Sequence, residues 1–198
     1  MNTTLTSRFR LVLWVLVAVA AIGATVIYLT APPRAPGAGI GGGSYAVLDD
    51  AGQPLDQTML QGHPSLMFFG YTHCPDVCPT TMAEMATWFE ALGPDASSLK
   101  AYFVTVDPQR DTPEIIGDYV GWTDGLVTGV TGDAAEIQKL VDAWGVFAEK
   151  VGEGPDYTVN HTASVFLVNA QGQFEGTIAY GEGSDTAVAK IRKLLQTS

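Results

Sequence analysis

The chain is poor in the residues that most often carry chemistry. Its 198 residues hold two cysteines and three histidines, and its 10 basic residues face 21 acidic ones. From Tyr45 onward there are seven basic residues against all 21 acidic ones, a formal net −14. Proteins that grip a phosphate backbone neutralise it with Lys and Arg, so this balance argues against nucleic acid as a partner. A solvated acidic surface is what it predicts instead. With only Cys74 and Cys78 present, a disulfide framework is excluded too. One short bridge or one pair of thiolates is all the sulfur can provide. There is no internal repeat.

Charge is also missing from Leu11 to Thr30, a mostly apolar run flanked on its N-terminal side by Arg8 and Arg10. About twenty helical residues rise about 30 Å, enough to cross a bilayer core. The basic flank keeps the N-terminus in the cytoplasm. The expectation is residues 1–10 cytoplasmic, a single transmembrane anchor over 11–31, and an exported remainder. Ala18, Ala20 and Ala21 raise the alternative of a cleaved signal peptide. The apolar run is long for that, and no small-x-small site precedes a polar break. No cysteine follows the run, which argues against a lipoprotein anchor. The anchor begins within about a dozen residues of Met1, leaving no room for a mitochondrial transit peptide. A bacterial cytoplasmic (inner) membrane, with the soluble domain on the periplasmic side, is therefore expected.

Residues 32–44 read as a linker, with Pro32, Pro33 and Pro36 followed by Gly37, Gly39, Gly41, Gly42 and Gly43. The composition offers little apolar surface to pack. Gly37 to Gly42 matches the dinucleotide-binding spacing, but no strand precedes it and no helix follows, so the match carries no function. Residues 45–198 are the right size for one domain.

Within that domain the pattern predicts strands at Tyr45–Leu48, Leu66–Tyr71, Lys100–Val106, Ser164–Val168 and Phe174–Ala179, with a short extended segment at Leu126–Thr131. Helices are predicted at Thr80–Leu92, from Thr112-Pro113 to Tyr119, from Asp133 to Trp144, and from Ser184 or Asp185 to Leu195. Thr112 and Asp133 are the capping residues, and Pro113 suits a first turn. Gln171-Gly172 joins the last two strands as a hairpin-like turn. Alternating strands and helices, closed by two neighbouring strands and a helix, predict an α/β domain with a central mixed sheet and flanking helices.

Cys74 and Cys78 sit in Gly70-Tyr71-Thr72-His73-Cys74-Pro75-Asp76-Val77-Cys78-Pro79, between the apolar run Leu66–Phe69 and a predicted helix. Thiols placed there can cycle to a disulfide or hold a soft metal. A purely structural bridge restrains little, because the loop it closes is short. A helix N-terminus favours thiolates, which predicts lowered thiol pKa values. Pro75 and Pro79 each stiffen the loop and withhold a backbone donor. Two thiolates alone cage a transition metal poorly, so a third ligand is needed from His63, His73 or His161. His63 lies in a polar turn. His73 points away from Cys74 if the loop is extended. His161 lies in a loop just before the strand Ser164–Val168. Asp107, Arg110 and Asp111 follow a strand end, where an Arg-carboxylate pair either shapes the turn or frames the site. Met82 and Met85 share a helix face with Cys78, and core packing is their expected role.

Four features together resemble the SCO/SenC family of membrane-anchored copper proteins with a thioredoxin-like fold. They are Phe69–Pro79 around the cysteines, Phe103–Glu114 with Asp107-Pro108-Gln109-Arg110-Asp111-Thr112-Pro113, His161–Val168, and the anchor-linker architecture. The resemblance implies that Cys74, Cys78 and His161 bind one copper ion, as Cu(I) or Cu(II). It also implies a metallochaperone rather than an enzyme, which delivers copper to the binuclear copper site of cytochrome c oxidase subunit II or prepares that site's cysteines. Another periplasmic copper chaperone or a thiol reductase is a further implied partner.

Many members carry Asp directly before the ligand histidine, where this chain has Asn160. Asn160-His161-Thr162 also matches a glycosylation sequon, but a sugar there would obstruct the site. The principal alternative is a thiol-disulfide oxidoreductase that uses Cys74 and Cys78 as its redox pair. The three-residue spacer differs from that of Cys-x-x-Cys enzymes, and His161 goes unexplained. A peroxidase, or a redox or copper sensor, on the same scaffold stays open.

Overall fold

The structure is a computed structural model and describes Arg10, Leu13, Trp14, Leu16, Val17, Val19 and residues 40–197. The chain divides into two compact units, Met1–Pro36 and Gly37–Ser198. In the first, the described residues are helical and exposed. Most of the anchor expected over 11–31 lies outside the described residues. Among the described residues no helix is long and apolar enough to cross a membrane.

The second unit is built on a seven-stranded mixed sheet. Its strands are β1 (Ala46–Asp49), β2 (Pro54–Asp56), β3 (Ser65–Gly70), β4 (Lys100–Thr105), β5 (Thr128–Thr131), β8 (Val165–Val168) and β9 (Phe174–Ile178), in the order β2-β1-β5-β4-β3-β8-β9. Helix α1 (Val77–Leu92) connects the parallel pair β3 and β4, and α2 (Pro113–Val120) connects the parallel pair β4 and β5. The remaining pairs are antiparallel. Helices α3 (Ala134–Ala143) and α4 (Ser184–Thr197) complete the layers. Strands β6 (Ala148–Val151) and β7 (Thr158–His161) form a separate antiparallel hairpin, paired with each other and not with the large sheet.

Strand β3 is central and buried at every residue, as its continuous apolar run requires. Its side chains alternate between the faces. Leu66 and Phe68 pack with Met82, Met85 and Trp88 of α1, Ile116 of α2 and Ile191 of α4. Met67 and Phe69 pack on the other face with Ile137 and Leu140 of α3, Trp144 and Phe166. The period of two thus feeds two cores from one strand.

The predicted caps are in place. The Thr112 hydroxyl accepts from Ile115 N, and the Asp133 carboxylate accepts from Ala135 N. Helix α1 starts three residues before its expected position, at Val77, so Cys78 falls inside its first turn. The end of the Pro/Gly stretch is seated on the domain, where Gly41 N donates to Ala143 O at 2.7 Å. A side chain at Gly41 would strike Trp144, since a Cβ would lie 2.7 Å from its ring. The hairpin β6–β7 is absent from the sequence expectation, which placed His161 in a loop; it ends a strand instead.

Candidate metal centre

The cysteine half of the site grows from the C-terminal end of β3. Val106 N donates to Gly70 O at 2.7 Å, which ties the strand end to β4. The chain then turns, and Cys74 N donates to Tyr71 O at 3.2 Å. Asp76 stands at the N-cap of α1 but makes no side-chain capping bond. The Cys74 sulfur takes that role, accepting from the Cys78 backbone N–H at 3.4 Å. Gly70 leaves the space that Cys78 fills, because a Cβ there would lie 2.9 Å from Cys78 Sγ and 2.8 Å from the Phe103 ring.

The histidine half comes from β7. Burial alternates along it, with Val159 buried and Thr158 and Asn160 exposed, so Tyr157, Val159 and His161 share the inward face. His161 Nδ1 lies 3.0 Å from Thr162 O. A carbonyl only accepts, so Nδ1 carries the proton and Nε2 presents its lone pair. Nε2 is 3.3 Å from Cys78 Sγ. The ring also meets Tyr71 edge-on, with centroids 5.8 Å apart and planes at 90°. Cys74 Sγ, Cys78 Sγ and a His161 ring nitrogen all lie within 4.8 Å of one another.

Burial governs the electrostatics. Cys78 is buried, and desolvation pushes its thiol well above the ordinary range. This corrects the expectation of a lowered pKa at a helix N-terminus. The dipole's contribution is small beside the cost of holding a thiolate out of water. Burial also depresses His161, which keeps the imidazole neutral and able to act as a ligand. Cys74 is half-buried and opens onto a surface depression of about 330 Å³ lined by Tyr71, Asp76, Val77, Asn160 and Ala163 among others.

The other candidates sort clearly. His63 Nδ1 is 3.0 Å from Ser65 Oγ, away from the sulfurs. The His73 side chain is 52% exposed and lies 3.9 Å from Asp111. Met82 and Met85 are core residues, fully buried. Asp111 is fully buried and accepts from Thr72 N (3.1 Å), Thr72 Oγ1 (2.6 Å) and Thr105 Oγ1 (2.6 Å). It thereby ties the cysteine loop to β4. Asp107 pairs with Arg110 at 2.5 Å and accepts from Tyr157 Oη at 2.6 Å. Arg110 Nη1 donates to Pro155 O and Tyr157 O at 3.2 and 3.1 Å. The segment 107–111 therefore frames both halves of the site. Tyr157 itself escaped the sequence reading; the β-branched pair Thr158-Val159 was the signal for a strand there.

Two soft sulfurs and one imidazole, converging on an open face, define a thioredoxin-like domain with a thiol site that can bind a soft metal or cycle to a disulfide. A family model described as SCO1/SenC matches residues 34–196, and the chain belongs to that family. It is 32% identical over 136 residues to an SCO2-like protein of Rickettsia felis, a match covering 67% of this chain and 66% of that one. The structure of Bradyrhizobium japonicum ScoI with copper bound is 38% identical, with a TM-score of 0.71, covering 77% of this chain and 98% of that one. Arabidopsis thaliana ScoI with copper bound is 26% identical, with a TM-score of 0.75, over 81% of this chain and 100% of that one.

Proposed function

We propose that this chain is a membrane-anchored copper metallochaperone. It takes one copper ion as cargo through Cys74, Cys78 and His161 and hands it to the binuclear copper site of cytochrome c oxidase subunit II. Residues 11–31 act as the anchor in a bacterial inner membrane, 32–44 as the spacer, and the domain faces the periplasm. The observation that carries this is the convergence of two sulfurs and an imidazole within 4.8 Å, from elements more than 80 residues apart in the chain. Thiolates suit Cu(I), and imidazole suits both oxidation states. Three donors beside an open depression leave room for an acceptor's ligands to enter. Copper-bound relatives of the same family support the choice of metal.

One asymmetry supports a second role on the same residues. Cys74 is half-buried while Cys78 is fully buried. In a reductase, the accessible Cys74 thiolate attacks a partner's disulfide, forming a mixed disulfide and releasing one partner thiolate. Cys78 then attacks the Cys74 sulfur, closing the Cys74–Cys78 bridge and releasing the second thiolate. That reaction would prepare a copper acceptor's cysteines.

The deciding measurement is the metal content and free-thiol count of the full chain, purified in detergent under reducing conditions. Copper near one equivalent supports the chaperone. No copper, with a bridge that cycles against a dithiol, leaves the reductase. Loss of oxidase copper in a deletion strain, restored by the wild-type gene, tests the acceptor. Extraction of the chain from membranes by alkaline carbonate would overturn the anchor.

A further inference from the structure

We infer that Tyr157 is a positioning residue for His161, and that Asp107 and Arg110 set the imidazole's pose by clamping Tyr157. The inference rests on the copper site proposed above, but its test does not depend on copper alone.

The hairpin that carries His161 is held to the domain by side chains on its inward face, Val159 among them, and not by strand pairing. Strand β6 is exposed at all four residues, and neither strand pairs with the large sheet. Two-stranded hairpins are marginal by themselves in water. The pose of the ligand therefore depends on the side chains that fix the inward face of β7.

Tyr157 is placed to do that. It is buried, and it shares the inward face with Val159 and His161, four residues before the ligand. Its hydroxyl donates to Asp107 Oδ1 at 2.6 Å. Its ring lies between two cations, with the Arg110 guanidinium carbon 3.6 Å and Lys150 Nζ 3.7 Å from the centroid. Arg110 also binds the carbonyls of Pro155 and Tyr157, fixing the backbone as the ring is fixed. Guanidinium contacts of this kind are planar and forked, so Lys cannot reproduce them.

The same guanidinium reaches the cysteine half. Its carbon is 5.8 Å from the Tyr71 ring centroid, and Tyr71 meets His161 edge-on. Asp107 and Arg110 follow β4, which is paired in register with β3, the strand that feeds the cysteine loop. The clamp thus references the hairpin to the sheet from which Cys74 and Cys78 are built. A metal ligand held by its neighbours in this way loses affinity when the holding partner is removed, typically by about 10–100-fold.

The test uses the full chain in detergent, labelled with 15N-histidine, as wild type, Tyr157→Phe, Tyr157→Leu and Arg110→Lys. Only three histidines contribute ring signals. In copper-free wild type, His161 gives one set of ring resonances with a proton on Nδ1. In Tyr157→Leu those resonances broaden or average between tautomers, while His63 and His73 stay unchanged. Titration with Cu(I) then shows about 10–100-fold weaker binding, and the Cu(II) electron paramagnetic resonance spectrum changes. Tyr157→Phe keeps the ring between the cations and recovers part of both signals. Arg110→Lys shifts the His161 resonances in the same sense as Tyr157→Leu. Unchanged His161 resonances and copper affinity in Tyr157→Leu, with only a lower melting temperature, overturn the inference. If Tyr157→Leu does not fold, the same comparison in Tyr157→Phe and Arg110→Lys decides. If wild type binds no copper, the copper reading fails and the ring resonances alone decide the clamp.

Discussion

The cysteine half of the site rises from the centre of the sheet, whereas the histidine half arrives on a hairpin that shares no pairing with it. Cys78 lies in the first turn of a helix packed on β3, with Gly70 shaped around its sulfur and Asp111 tying the loop to β4. His161 depends on side chains reaching across 50 residues, from Asp107 to Tyr157. One half is fixed by secondary structure, and the other by the burial of Val159 and by long-range polar and ring contacts. The sulfurs and the imidazole are thus held by different kinds of interaction, so each can be disturbed without the other.

The largest effect should come from the rigid half. Cys78→Ser is expected to take copper binding from about one equivalent to none, because a hydroxyl is a poor donor for Cu(I). The fold should survive: serine is smaller than cysteine and can keep the contact with His161 Nε2. Circular dichroism and metal analysis check both points. A collapsed fold would show that the sulfur matters for structure more than for metal.

His161→Ala should separate the two halves. Copper affinity is expected to fall by about 100-fold or more, since two sulfurs remain without the third donor. The Cys74–Cys78 bridge should still form and reduce, because thiol exchange needs only the two sulfurs. Competition titration against a Cu(I) chelator, beside a dithiol redox titration, gives both numbers. Wild-type affinity in this variant would remove the hairpin from the site.

Gly70→Ala tests how tightly the cysteine half is built. The new methyl would meet Cys78 Sγ at 2.9 Å and the Phe103 ring at 2.8 Å. Overpacking of this kind costs about 1–3 kcal/mol. Lower stability by chemical denaturation is expected, together with a smaller loss of copper affinity than His161→Ala gives. No loss of stability would mean that the packing around Cys78 gives way easily.

The contrast also decided what the sequence could reveal. The buried strand, the helix after it and the caps at Thr112 and Asp133 are local patterns; the caps are where the pattern puts them, the strand is within one residue, and the helix begins three residues early. The residues that the motifs pair with the sulfurs meet them in space, but how His161 is held was not legible. Strand β6 reads Ala-Glu-Lys-Val and is exposed throughout, so it shows neither the alternation of a half-buried strand nor the run of a buried one. The clamp joins side chains far apart in the chain, which no spacing rule reaches. The thiol expectation failed for a different reason. A helix terminus is visible in sequence, but the depth at which Cys78 sits is a property of the packed core, and depth decided the outcome.

The smallest predicted effect concerns Asn160, the residue directly before His161. Asn160 is exposed on β7 and stands directly opposite Glu149 on β6. A carboxylate there would face another carboxylate across the hairpin, and like charges directly opposite destabilise a strand pair. Asn160→Asp should therefore lower stability by a few tenths of a kcal/mol, within the range of about 0.2–1 kcal/mol for cross-strand pairs. The loss should shrink as salt rises, because the pair is exposed and screened. Glu149→Gln combined with Asn160→Asp should restore wild-type stability, since the repulsion is gone while the Asp remains. Denaturant unfolding of wild type, Asn160→Asp, Glu149→Gln and the double variant at low and high salt measures this coupling. A stability loss in Asn160→Asp that the second substitution does not recover would mean that Asn160 is held by something other than its cross-strand neighbour.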